Sequence, residues 1–249
     1  MENKRRHVVI VALALSLCIS APGGADDGPV DPAAKMLLER MGAVLAATED
    51  FTLTNTFTSD ETVSTGEIVQ LEGTVEIALR RPDGLRASIH GDFGSKQYFY
   101  DGSRMVFADG SHNTFAQAMV PATIDETMDE MWQTYGVKIP LVDFVSSDPY
   151  ATLMRNVESG FYAGLHQVNG VPCHHLVFTQ EEIDWQIWIA DSVLPLPQKL
   201  VITYKQEDGY PQYTALFSDW DLGPGLSDAV FDFVPPEGSI KIVFADSGE

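Results

Sequence analysis

Cysteine is nearly absent from the 249-residue chain, which has Cys18 and Cys173 and no other. The first lies in an N-terminal apolar run, so removal of that run would leave Cys173 alone, without an intrachain disulfide, and stability would rest on packing. Basic residues are scarce too. Fifteen Lys and Arg stand against 36 Asp and Glu, a net charge of −21, which argues against unaided binding of nucleic acid or of an anionic membrane surface. The sequence has no Gly-rich phosphate loop, no Gly-x-Ser-x-Gly elbow, no His-Glu-x-x-His helix and no EF-hand spacing. These gaps weigh against an enzyme without excluding one, because sites assembled from distant strands leave no local motif. Long apolar runs are missing as well: Val8 to Ala21, VVIVALALSLCISA, is 14 residues, shorter than the roughly 20 that a membrane-spanning helix needs.

Preceded by Lys4, Arg5 and Arg6, that run has the layout of a secretory signal peptide, and the small residues after it suit cleavage after Ala21 or Ala25. The second cut removes three basic residues and one acid, leaving 12 against 35, or −23, on a 224-residue chain. Leu15-Ser16-Leu17-Cys18 superficially resembles a lipobox, which wants Gly, Ala or Ser just before the cysteine. Leu17 departs from that pattern, so a soluble periplasmic protein is expected rather than a lipid-anchored one.

What the chain does have is material for a core: 45% of its residues are hydrophobic, 10% aromatic and 20% charged. Asp31-Pro32 is a helix start, and Met36, Leu37, Met41, Val44 and Leu45 recur at helical spacing, predicting a helix to about Thr48. From Phe51 the period becomes two, with Phe51, Leu53 and Phe57 alternating with threonines. Strands are predicted at 63–71, 73–81, 85–91, 95–100 and 104–108, with hairpin turns at Asp101-Gly102 and Asp109-Gly110. A helical interruption over 121–155 opens on the capping box Thr123 to Glu126 and carries Ile124, Met128, Met131, Trp132 and Tyr135 on one stripe. A short helix is predicted from Asp148-Pro149, and strands resume at 157–168, 173–179, 183–190, 198–206, 211–221, 229–233 and 240–244. The fold class is α+β, mainly β. One domain over 26–249 is expected, built on a single large curled antiparallel sheet of about 11–12 strands, because open sheets of that size must curl, split or close. Amphipathic helices should cover its concave face.

Gly73-Thr-Val-Glu-Ile-Ala-Leu-Arg-Arg-Pro82, Arg86, Tyr100-Asp-Gly102 and Met105-Val-Phe107 resemble the front half of the LolA-type outer-membrane lipoprotein carriers, and Phe231-Asp-Phe-Val-Pro-Pro-Glu-Gly238 resembles their closing motif. Gly170-Val-Pro-Cys-His-His-Leu176, Trp185-Gln-Ile-Trp-Ile189 and Leu194-Pro-Leu-Pro197 are similar to a family of predicted periplasmic proteins within that LolA/LolB-like superfamily. Together these marks span most of 30–245. The resemblance implies an unclosed antiparallel half-barrel with a helical lid, holding acyl chains in an apolar cavity. Period-two counting places Ile77, Leu79 and Arg81 on one face, so Arg81 continues an apolar row. A guanidinium there needs acceptors, for which lid carbonyls would serve; alternatively it snorkels to solvent. The resemblance implies a latch role for Arg81.

Ligand-binding candidates are Arg81, Leu79, Ile77, Met128, Met131, Trp132, Trp185 and Ile187, since methionine and aromatic side chains adapt to irregular apolar ligands. The same pattern also describes an ordinary core. Cys173, His174 and His175 are the one concentrated catalytic or metal candidate, but strand alternation sends His174 away from the other two. His90, His112 and His166 stand singly, and Asp184, Asp219, Asp221, Asp228 and Asp232 read as solvated surface, so no catalytic residue, metal or cofactor is assigned. The leading functional expectation is a monomeric periplasmic carrier of a lipid or acylated lipoprotein that does not bind nucleic acid. Two alternatives stand beside it: a sensor or regulator that uses the same shell to control an envelope membrane protein, and a hydrolase centred on Cys173 and His175. Export is expected to yield a chain beginning at Pro22 or Asp26 with no lipid attached; intact-mass spectrometry of the periplasmic protein checks both points.

Overall fold

The computed structural model describes residues 29–136 and 141–244, so the expected leader and both cleavage sites lie outside the described residues. Helix α1 (Pro32–Ala47) starts where the sequence places it: the Asp31 carboxylate accepts from the Ala33 N–H at 2.8 Å. Its buried face is Ala34, Leu37, Leu38, Met41 and Leu45, while Met36 turns to solvent.

Strands β1 (Asp50–Thr62), β2 (Ile68–Arg80), β3 (Gly84–Gly91), β4 (Gly94–Tyr100), β5 (Arg104–Asp109) and β6 (Thr114–Met119) form a first meander. Helices α2 (Ile124–Tyr135), α3 (Val142–Val145) and α4 (Pro149–Leu153) follow. The second meander is β7 (Ser159–Val168), β8 (Val171–Thr179), β9 (Ile183–Ala190), β10 (Pro197–Tyr204) and β11 (Gln212–Leu222). β1 pairs with β11 and so joins the two meanders, and β12 (Ile240–Ile242) adds to β6. The twelve strands among the described residues make one sheet, in the order β12-β6-β5-β4-β3-β2-β1-β11-β10-β9-β8-β7.

The structure differs from the sequence reading in four places. The strands expected at 63–71 and 73–81 are one strand, β2, because β1 runs on to Thr62 and pairs in register down to Ile68, which leaves only 63–67 for the turn. β6 has a weak signal in its alanines, and pairing with β5 overrides that low propensity. Residues 228–230 form a 3-10 turn in place of the strand expected at 229–233, and the turn sets Phe231 against Gly84, where even a Cβ would approach the ring to 2.7 Å. The sheet is not wholly antiparallel either, since β12 runs parallel to β6.

Burial alternates along the strands, with Val75, Ile77 and Leu79 of β2 buried in the same cluster as α1 and the β8 and β9 residues Leu176, Phe178, Trp185 and Ile187. Leu38, fully buried in α1, belongs to this cluster, so Leu38→Ala is expected to cost about 2–5 kcal/mol, measured as a lowered urea midpoint with unchanged slope.

Candidate functional site

Arg80 ends β2, Arg81 follows it, and the two side chains point to opposite sides of the sheet. Arg80 reaches the C-terminal segment: it bonds Asp228 at 2.6 Å and Asp83 at 3.1 Å, and its guanidinium lies 4.9 Å from the Phe231 ring centroid. Arg81 turns to the helices. Its Nη1 donates to the Val145 carbonyl at 2.7 Å and its Nη2 to the Leu45 carbonyl at 3.4 Å. Those carbonyls sit at the C-terminal ends of α3 and α1, where backbone partial negative charge collects and a cation is favoured. Burial pushes the Arg81 guanidinium below its ordinary value, with Asp125 pulling the other way.

Other bonds fix the start of α2 to the same corner. Tyr100 Oη donates to the Pro121 carbonyl at 2.9 Å, and the Ile124 N–H donates to the Pro82 carbonyl at 3.0 Å. The Thr123 side chain caps α2 and Asp148 caps α4, each accepting a backbone N–H three residues on. Asp125 accepts from the Ser147 backbone N–H at 2.9 Å, tying α2 to the α3–α4 connection.

Of the ligand-binding candidates, Ile77, Leu79, Met131, Trp185 and Ile187 come together in the buried cluster, and Met128 packs half-buried against it. Trp132 is 50% exposed on the outer part of α2. Met128 and Trp132 border a recess of about 450 Å³ whose walls include Val142, Asp143, Thr152 and Arg155. A second recess, about 210 Å³, runs beside Trp185, Leu200 and Ile202 and shares Asp143, Thr152 and Arg155 as walls. The larger volume falls within the roughly 300–1,000 Å³ typical of small-molecule sites. The sequence reading missed Asp143 and Arg155: a carboxylate in a helical interruption carries no sign of being turned inward, and Arg155 is an exposed wall residue. Burial pushes the Asp143 carboxyl up, against the opposing pull of Arg155.

The Cys-His segment is divided as alternation requires. Cys173 is buried, its thiol donates to the Val171 carbonyl at 3.2 Å, and burial pushes its pKa up, which disfavours the thiolate that nucleophilic chemistry needs. His174 meets Tyr162 Oη at 3.0 Å and Asp191 at 3.3 Å, whereas His175 faces His166 and Gln186. Burial lowers the His175 pKa. Asp184 pairs with Lys205 at 3.0 Å, and among the described residues no three His, Cys, Asp or Glu groups converge on a metal position.

The architecture is thus a single curled sheet, open at both edges, with helices closing over a buried apolar face. The chain belongs to the family described as "Predicted periplasmic protein (DUF2092)", whose model matches residues 34–245. No curated protein matches the sequence. An uncharacterized conserved protein from Thermus thermophilus has a similar structure, with a TM-score of 0.50 at 9% identity over 85% of this chain and 99% of that one. Lipoprotein LppX of Mycobacterium tuberculosis (TM-score 0.48, 11% identity, 76% and 96% covered) and a LolA superfamily protein from Nitrosomonas europaea (0.41, 8%, 80% and 97%) are also similar. At such identities the likeness concerns the fold.

Asp143 yields a prediction with a defined sign. Its folded pKa lies above the unfolded value, so the folded state holds the proton longer and stability falls as pH rises through that window. The cost of the buried charge is then fully present at neutral pH. Asp143→Asn should therefore raise Tm at neutral pH, with the gap closing as pH falls below about 4; thermal melts of both proteins across that range test it.

Proposed function

We propose that the protein is an exported, soluble carrier that shelters acyl chains of a lipid or lipoprotein between its curled sheet and helices α1 to α4. The observation that supports this reading most directly is the Arg81 guanidinium, which ties the end of a sheet strand to carbonyls of two covering helices at once. An ordinary core needs no cation there. A lid held by a few charge-assisted hydrogen bonds at one corner can let go of them and expose an apolar face.

In this reading the two recesses that share Asp143, Thr152 and Arg155 are the closed form of a crevice between lid and sheet. When the lid lifts, Leu79, Ile77, Met131, Trp185 and Ile187 become the walls for an acyl chain, with Met128 and Trp132 at the mouth. Affinity comes from apolar burial, on the order of 0.8 kcal/mol per methylene before ordering costs. Specific polar chemistry is minimal and no catalytic step is assigned. The family's description as periplasmic, the signal-like N-terminus and the departure of Leu17 from a lipobox together support a soluble envelope location.

The test uses protein purified from the periplasm. Organic extraction and mass spectrometry should find bound lipid, and delipidated protein should take up a fluorescent fatty acid. Leu79→Trp should displace the probe, whereas Ala78→Trp, on the other face of β2, should not. Arg81→Leu removes hydrogen bonds worth about 1.5–3 kcal/mol, so hydrogen exchange in α1 and α3 should quicken roughly tenfold or more, and probe release with it. Wild-type and Arg81→Leu proteins that both arrive lipid-free and ignore the probe would end this reading.

A further inference from the structure

On the face of β7, β8 and β9 opposite the buried Leu176 and Ile187, two histidines that look unrelated in the sequence meet. The Asn169-Gly170 turn pairs Val168 with Val171, which sets His166 opposite Cys173 and diagonal to His175. The Nδ1 atoms of His166 and His175 are 3.0 Å apart. On its other side, Nε2 of His175 lies 3.0 Å from Gln186 Oε1. An amide oxygen only accepts, so it holds the proton on Nε2 and leaves Nδ1 of His175 with its lone pair. Trp188 stacks on the His175 ring at 4.0 Å and 11°, which fixes the ring's orientation, while the exposed His166 ring has room to turn.

The spacing of the two nitrogens lets a small turn of the His166 ring bring both lone pairs onto one ion. With metal–nitrogen bonds of about 2.0–2.1 Å, a separation of 3.0 Å subtends an angle of about 94° at the ion. A tetrahedral ion wants its nitrogens about 3.3–3.4 Å apart, which the same turn also reaches, so the choice of ion falls to the donors, and two imidazoles favour Cu²⁺ over Ni²⁺ and Zn²⁺. We propose that His166 and His175 form an open two-nitrogen site for a divalent transition cation, Cu²⁺ before Ni²⁺, with Gln186 as a positioning residue that holds His175 in its ligating tautomer.

Cys173 shares the face by register, but its thiol is buried and bonded to the Val171 carbonyl, so it does not complete a third protein ligand. Water fills the remaining positions, and the ion exchanges freely instead of being locked in a structural cage. Without metal, Nδ1–H of His166 donates to Nδ1 of His175; on binding, that proton moves through solvent to Nε2 of the exposed His166 ring, and the freed Nδ1 lone pair takes the cation. Because β7 is an edge strand and carries a bulge between Tyr162 and Gly164, a metal bridge to β8 also pins that edge of the sheet.

The experiment is a titration of untagged protein with CuCl₂, NiCl₂ and ZnCl₂ at neutral pH. One Cu²⁺ should bind with nitrogen couplings in its electron paramagnetic resonance spectrum and quench tryptophan fluorescence, and Trp188→Phe should remove most of that quenching. His166→Gln, which changes an exposed side chain and leaves the fold intact, and His175→Ala should each weaken binding roughly tenfold or more, as should Gln186→Leu. His90→Ala, on β3, should change nothing, and Ni²⁺ should raise Tm in wild type but not in His166→Gln. Copper binding unchanged in His166→Gln would overturn the site, and Zn²⁺ binding as tightly as Cu²⁺ would overturn the assignment to copper.

Discussion

The strand order imposes one constraint on everything else: β6 lies next to one edge of the sheet and β7 forms the other, so the chain must cross the whole width of the sheet between them. A twisted sheet of this size curls, and its apolar face is left without a second sheet to cover it. The crossing segment meets both needs. α2, α3 and α4 lie in the one stretch that has to traverse the face, and α1, entering just before β1, packs with α3 and α4. The cover is therefore a connection under topological obligation, held by few bonds, which is the physical basis for reading it as a lid.

Arg80 and Arg81 divide the work of fastening. Strand alternation alone sends one guanidinium to each side, so adjacent residues of the same type hold different things: Arg80 grips the returning C-terminal segment through Asp228 and Phe231, and Arg81 grips helix ends. The C-terminal segment is needed there because Phe231 fills the space above Gly84, and Phe233 packs against Phe99 and Phe115 in a smaller second cluster. The net charge of −21 favours solubility and disfavours contact with anionic surfaces.

Much of this was legible from residues. Asp31-Pro32 and Thr123 to Glu126 announce helix starts because capping is local chemistry, and β2 betrays its buried face by strict alternation up to Arg81. Illegible were features that depend on what lies across space. Met36 was exposed by the rotation of α1, Asp143 was turned inward by its neighbours, and the fate of 229–233 was decided by the pocket that receives Phe231. The His166–His175 pair lay between these extremes: the Asn169-Gly170 turn fixes its register and could have been counted through, but the two rings meet on a diagonal that sequence spacing does not display.

Residue order alone was enough to set the class of the protein: strands with one apolar face, few and amphipathic helices, a single cysteine among the described residues, an acidic composition and an arginine set into an apolar row. Periodicity and composition suffice for these because each is a property of neighbouring residues. What Arg81 holds, how closely the helices sit on the sheet, and which histidine faces which were settled by the folded arrangement. Those depend on long-range register and on the crossing path of the chain, where partners 36 and 64 residues from Arg81 become hydrogen-bond acceptors.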